Sequence, residues 1–142
     1  MRLTLTTFLA GCTLATGASA VCAQTPGTAQ QPALTRTVLQ QQPLSTPGRE
    51  GVQVLAVLAA GGTSVRHTHP GEEFGYVLDG TATFEIAGQA PLVLKSGDSF
   101  FIPADTPHIA RNEGATPLRL ISTYIVQAGK PLATPAPDRS SR

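Results

Sequence analysis

Turn chemistry punctuates this chain at short, near-regular intervals, and nothing else in the sequence constrains its fold as strongly. Ala60-Gly61-Gly62, Pro70-Gly71, Asp79-Gly80, Ala87-Gly88, Ser96-Gly97-Asp98, the segment Pro103 to Pro107 and Asn112-Glu113-Gly114 each end one run and precede another. The intervening runs are strand-length: Arg36–Leu39, Val52–Ala59, Ser64–Thr68, Glu73–Leu78, Thr81–Ile86, Leu92–Lys95, Ser99–Ile102, His108–Asn112 and Leu118–Val126. With 14 Gly and 12 Pro among 142 residues, long helices would be interrupted too often to persist. Many short strands at this spacing predict an all-β sandwich or barrel. Asp79-Gly80, between two such runs, reads as a hairpin turn.

The ends of the chain differ from its middle. Residues 1–23 carry Arg2 near the start, a Thr-interspersed apolar run and then small residues, the pattern of an export signal, with cleavage after Ala20 or after Ala23. The run is too broken for a membrane span, which needs about 20 mostly apolar residues. Leu9-Ala10-Gly11-Cys12 also resembles a bacterial lipobox, so lipidation at Cys12 is the one route to a membrane-attached mature form. Cys12 and Cys22 are the only cysteines, so cleavage after Ala23 leaves an exported domain that relies on its core rather than on disulfides. Residues 24–35 are rich in Gln, Thr, Pro and Ala and read as a flexible linker. Residues 129–142, with repeated Gly and Pro, read as a disordered tail. The domain is then 36–128, located in the periplasm or secreted.

A formal charge of +1 gives no polybasic field, which excludes nucleic acid as a partner. Val54–Ala60 is apolar at every position, so a strand there has two apolar faces. Either it is doubly buried within one sandwich, or one face meets a second copy in a homodimer.

The three histidines are the most informative residues. In His67-Thr68-His69 the period-two alternation of a strand puts both imidazoles on one face. Pro70-Gly71 turns the chain so that Glu73 returns over that face, and His108 follows a second turn. Glu72 is the rival carboxylate, and alternation sends it the other way. Three imidazoles and a carboxylate suit a divalent transition metal (Fe, Mn, Ni, Cu or Zn), with coordination positions left open. Metal affinity should fall as acidification protonates the imidazoles near ~6.5. Arg66 and Arg111 alternate away from the ligands, towards solvent or an interface. Phe74, Tyr76, Phe84, Phe100, Phe101 and Tyr124 read as core, and those on the ligand face can line a pocket for an organic substrate.

These residues resemble the two motifs of the cupin superfamily. The first, G-x5-H-x-H-x3,4-E-x6-G, is matched by Gly61, His67, His69, Glu73 and Gly80. The second, G-x5-P-x-G-x2-H-x3-N, is matched by Gly97, Pro103, His108 and Asn112, with Asp105 where the motif has Gly. Asp tolerates a left-handed backbone better than most residues, so the turn is kept. Asn112 reads as structural, satisfying backbone groups near a turn. The resemblance implies a double-stranded β-helix (jelly-roll) barrel holding one metal on His67, His69, Glu73 and His108. Among its members the chain is similar to the small quercetin dioxygenase-like group. That likeness implies dioxygenase or isomerase chemistry on a small organic molecule, with Glu73 as the base. A non-catalytic barrel that captures a metal or small ligand in the periplasm is the alternative.

Overall fold

The computed structural model describes residues 33–137. The segment expected to be an export signal, residues 1–23, and most of the expected linker, 24–32, lie outside the described residues, as do residues 138–142. Ten strands follow in order: β1 (Leu34–Pro43), β2 (Arg49–Leu58), β3 (His67–Thr68), β4 (Gly71–Asp79), β5 (Thr81–Ile86), β6 (Leu92–Lys95), β7 (Ser99–Ile102), β8 (His108–Arg111), β9 (Leu118–Gln127) and β10 (Thr134–Pro135). They form two five-stranded sheets, ordered β1-β2-β9-β4-β7 and β10-β3-β8-β5-β6. Every pairing is antiparallel. This is the all-β architecture expected from the turn spacing, in the jelly-roll form that the resemblance implies.

Alternation along the strands builds the interior. In β9 the burial pattern switches at every residue, with Leu118, Leu120, Ser122, Tyr124 and Val126 inward. One core cluster gathers Leu58, Val77, Phe84, Ile86, Phe100, Ile102 and Leu118 among others, and a smaller one gathers Val52, Val54, Tyr124 and Val126. Asn112, 1% exposed, ties the site-bearing sheet to its neighbours. Its amide nitrogen donates to the carbonyls of Leu58, Ala59 and Thr116, and its oxygen accepts from the Gly114 amide.

Five expectations change. Asp79-Gly80 is not a hairpin turn: β4 and β5 lie in different sheets, so the pair carries the chain across the barrel. Leu34 and Thr35 belong to β1 rather than to a linker. The Pro-rich C-terminal segment is not a disordered tail as far as Pro135, because Thr134 and Pro135 pair with Thr68 and His67 as an edge strand, where proline is tolerated. Phe74, Tyr76 and Phe101 are not core but 46–50% exposed, since the parity that turns Glu73 inward turns Phe74 and Tyr76 outward. Arg66 is likewise buried rather than solvated, beneath a backbone hydrogen bond from Ala136 to its own carbonyl. Arg111 does reach the surface, paired with Glu85.

Asp105 has a φ of 54°, and no other described non-glycine residue has a positive φ. Its amide donates to the His69 carbonyl at 2.9 Å, so the turn buttresses the histidine strand. Glycine adopts this backbone without a Cβ penalty. Asp105→Gly is therefore expected to stabilise the fold by up to about 1 kcal/mol. A lower urea midpoint for this variant would contradict that account.

Candidate metal centre

β3 is only two residues long, and its register sets His67 directly opposite His108 of β8. His69 follows just beyond β3, and the Pro70-Gly71 turn sends the chain into the opposite sheet, where Glu73 pairs with Tyr124 and Ile102. All four side chains are buried, at 2–7% exposure. Glu72, by contrast, points out and lies 3.9 Å from Arg49. Parity thus separates the two carboxylates as the alternation predicts.

The three imidazoles converge. His67, His69 and His108 each offer a ring nitrogen, and these atoms lie within 4.8 Å of one another. Glu73 Oε2 is 3.1 Å from His69 Nε2 and 3.6 Å from His108 Nε2. Each Nδ1 faces a backbone carbonyl: Val65 for His67, Leu132 for His69 and Thr106 for His108. A carbonyl only accepts, so Nδ1 carries a proton in every ring, which leaves Nε2 as the nitrogen available to a metal. Backbone partners of this kind hold metal-ligating histidines in one tautomer and one orientation.

Two of these central atoms are left over. His69 Nε2 and Glu73 Oε2 are buried and make no hydrogen bond. Orphaned buried polar atoms cost about 1–3 kcal/mol each, and a cation placed among them would satisfy both. Three neutral imidazoles and a carboxylate are a donor set for a divalent transition metal. The residues fit the ion.

Electrostatics agrees. Burial, then the neighbouring His108 ring, pushes the His67 imidazole down to about 4. Burial also lowers His108, against the raising effects of its bond to Thr106 and of Glu73. Burial works to raise the Glu73 carboxyl, but His69, the Ser122 hydroxyl and His108 hold it below its ordinary value. Burial and the Glu73 charge push the Tyr124 phenol up, keeping it protonated. Protons therefore compete for His67 and His108 later on acidification than free imidazole at ~6.5 would suggest. We expect zinc to be retained through dialysis at about pH 6 and lost as the pH nears the His67 value of about 4. Loss centred on the free-imidazole range would show that the rings are solvated. In the metal-free protein the unfolded chain takes up the His67 proton at the ordinary value and the folded chain only near 4, so stability falls between the two.

Beside His67, Glu73 and His108 lies a small cavity of about 40 Å³. Its walls are mainly apolar, with Leu34, Ala56, Leu58, Phe84 and Leu120 facing Arg36, Ser64, Ser122 and Tyr124. Arg36 carries no motif and stands far from the histidines in sequence. Only the pairing of β1 with β2, which places Arg36 opposite the inward-facing Ala56, brings it to the site.

Comparison with known proteins agrees with this architecture. The cupin domain family matches residues 54–124. A curated relative, an uncharacterized protein of Methanocaldococcus jannaschii, is 31% identical over 67 residues, which cover 46% of this chain and 53% of that protein. The chain thus spans about half the length of that relative. An uncharacterized protein with a double-stranded β-helix domain from Klebsiella pneumoniae superimposes with a TM-score of 0.63 at 20% identity, covering 78% of this chain and 90% of that one. The DMSP lyase DddQ of Ruegeria pomeroyi superimposes with a TM-score of 0.54 at 27% identity, covering 57% of this chain and 41% of that one. The matched segment holds both histidine-bearing strands, the inward carboxylate and the turn between them, and on that ground the chain belongs to the cupin family.

Proposed function

We propose that this protein binds one divalent transition metal through His67, His69, Glu73 and His108, and acts as a dioxygenase-like oxidoreductase on a small organic molecule after export. One observation carries the reading. Three imidazoles, each held through Nδ1 by a backbone carbonyl, converge with the buried Glu73 carboxylate, and His67, Glu73 and His108 open onto a mainly apolar cavity. When bound, the metal supplies Lewis acidity and a redox-capable centre with open positions.

The chain's own residues do the rest. The apolar walls exclude water and hold an organic substrate against the ligand cluster. Glu73, whose carboxyl is held low, is the base when it is released from the ion and accepts a proton from a substrate hydroxyl presented beside it. Ser122 and Tyr124, both buried beside Glu73, keep that carboxylate aimed into the cavity.

Metal content of protein purified without chelator or nickel resin tests the first half, and a chain without metal overturns it. Oxygen uptake with a flavonol panel after anaerobic loading with Fe(II), Mn(II), Ni(II) or Cu(II) tests the second. Metal without uptake leaves the binding module. The exposed Phe74, Tyr76 and Phe101 and the half-buried Leu55 and Val57 share the outer face of the first sheet, which supports a homodimer through that face. A monomeric mass by light scattering would overturn the dimer.

A further inference from the structure

The cavity has a cation at its throat that the ligand cluster does not explain. Arg36 lines both the inner chamber and a second hollow outside it, the latter bounded by Thr63, Val65, Ala133 and Pro135. Leu34, Ser64 and His67 line both hollows with it, so Arg36 stands on the boundary between them. Its guanidinium lies 3.5 Å from His67 Nε2, a long contact with a nitrogen lone pair. Among the described residues it forms no ion pair. The cavity's own carboxylate, Glu73, faces His69 and His108 instead.

Arg36 is itself exposed, with solvent on its outer side and the histidine cluster on its inner side. A guanidinium beside a cluster built to hold a divalent cation is repelled by that cation. The repulsion is relieved if an anion sits between the two charges. The His67 lone pair that Arg36 touches is also the one a metal would use, so filling the centre removes that acceptor and leaves the guanidinium's planar fork open. Such a fork matches a carboxylate with two parallel hydrogen bonds. Behind it the walls are Leu34, Ala56, Leu58, Phe84 and Leu120, which accept an apolar body and offer no second cation.

We propose that Arg36 is the specificity-determining residue of the site and selects a small monocarboxylate. It grips the carboxylate at the throat while the apolar remainder fills the chamber. This rests on the metal-centre reading above and narrows its substrate class.

The test is calorimetric titration of zinc-loaded protein and of the protein as purified, with acetate, butyrate and benzoate, each against its amide. Wild type is expected to prefer the acid over the amide. Arg36→Gln is expected to weaken the preferred acid at least tenfold, a loss of about 1.4 kcal/mol, and to leave its amide unchanged. Arg36→Lys, which keeps the charge without the fork, is expected to fall between. Elemental analysis of the same samples reads the metal independently. A metal-free wild type sinks the metal centre, while an Arg36-dependent preference for acid over amide would still stand. Equal acid affinity in wild type and Arg36→Gln, or no preference for any acid over its amide, overturns the role of Arg36.

Discussion

Replacing His67 and His69 together with alanine is expected to abolish metal retention while the β-sheet circular dichroism persists. The two rings supply half of the proposed donor set, and His108 with Glu73 alone cannot enclose the ion. Removing even the outer partners of a metal ligand costs about 10–100-fold in affinity, so losing two direct ligands should exceed the upper figure. The fold should survive because neither ring is a keystone of the packing. His69 stacks on Tyr124 with ring centroids 4.6 Å apart, and His67 lies at the edge of the cavity, but both core clusters are assembled without them. Glu73→Gln keeps shape and removes charge, so its metal affinity should lie between wild type and the double variant. Glu72→Gln, on the outer face, should change nothing. Metal analysis after gel filtration decides each case, and wild-type metal content in the double variant would show that the ion sits elsewhere.

The convergence of His67, His69 and Glu73 is legible in the sequence because its information is local. His67 and His69 are two residues apart, Glu73 follows one turn later, and strand parity alone separates Glu73 from Glu72. Asp105 was legible for the same reason, since a single residue's backbone preference accounts for its φ of 54°. What escaped depends on pairing between distant segments. Arg36 reaches His67 only because β1 pairs with β2 in a register that shifts at Val38/Gln40, and no local pattern announces such a bulge. Leu132, whose carbonyl fixes the His69 tautomer, lies in a Pro-rich stretch with no apolar period. Backbone hydrogen bonds and one apolar contact, Leu132 against the smaller core, hold that stretch in place. Phe74, Tyr76 and Phe101 depart from the core expectation because strand parity outranks aromatic character: the alternation that buries Glu73, Phe100 and Ile102 turns them outward.

The largest stability effect is expected at a residue with no chemistry. Gly71 opens β4 and pairs with Val126 of β9, two residues before Glu73. A Cβ there would fall on the Ile125 carbonyl oxygen, well inside van der Waals contact, and 2.6 Å from the Val126 Cα. Both obstacles are backbone, so no rotamer change relieves them. Overpacking of this kind costs about 1–3 kcal/mol and sometimes more, and with an immovable neighbour Gly71→Ala belongs at or above the upper end. A shift of that size lowers the melting temperature by more than about 10 °C in a domain of this length. Gly88 provides the contrast: its φ is 80° but nothing lies within 4 Å of its would-be Cβ. Gly88→Ala therefore carries only the left-handed backbone penalty, about 1 kcal/mol. If Gly71→Ala melts no lower than Gly88→Ala, then β4 can separate from β9 at its start without cost. Glu73 would then lack the rigid support that its place beside the histidines requires.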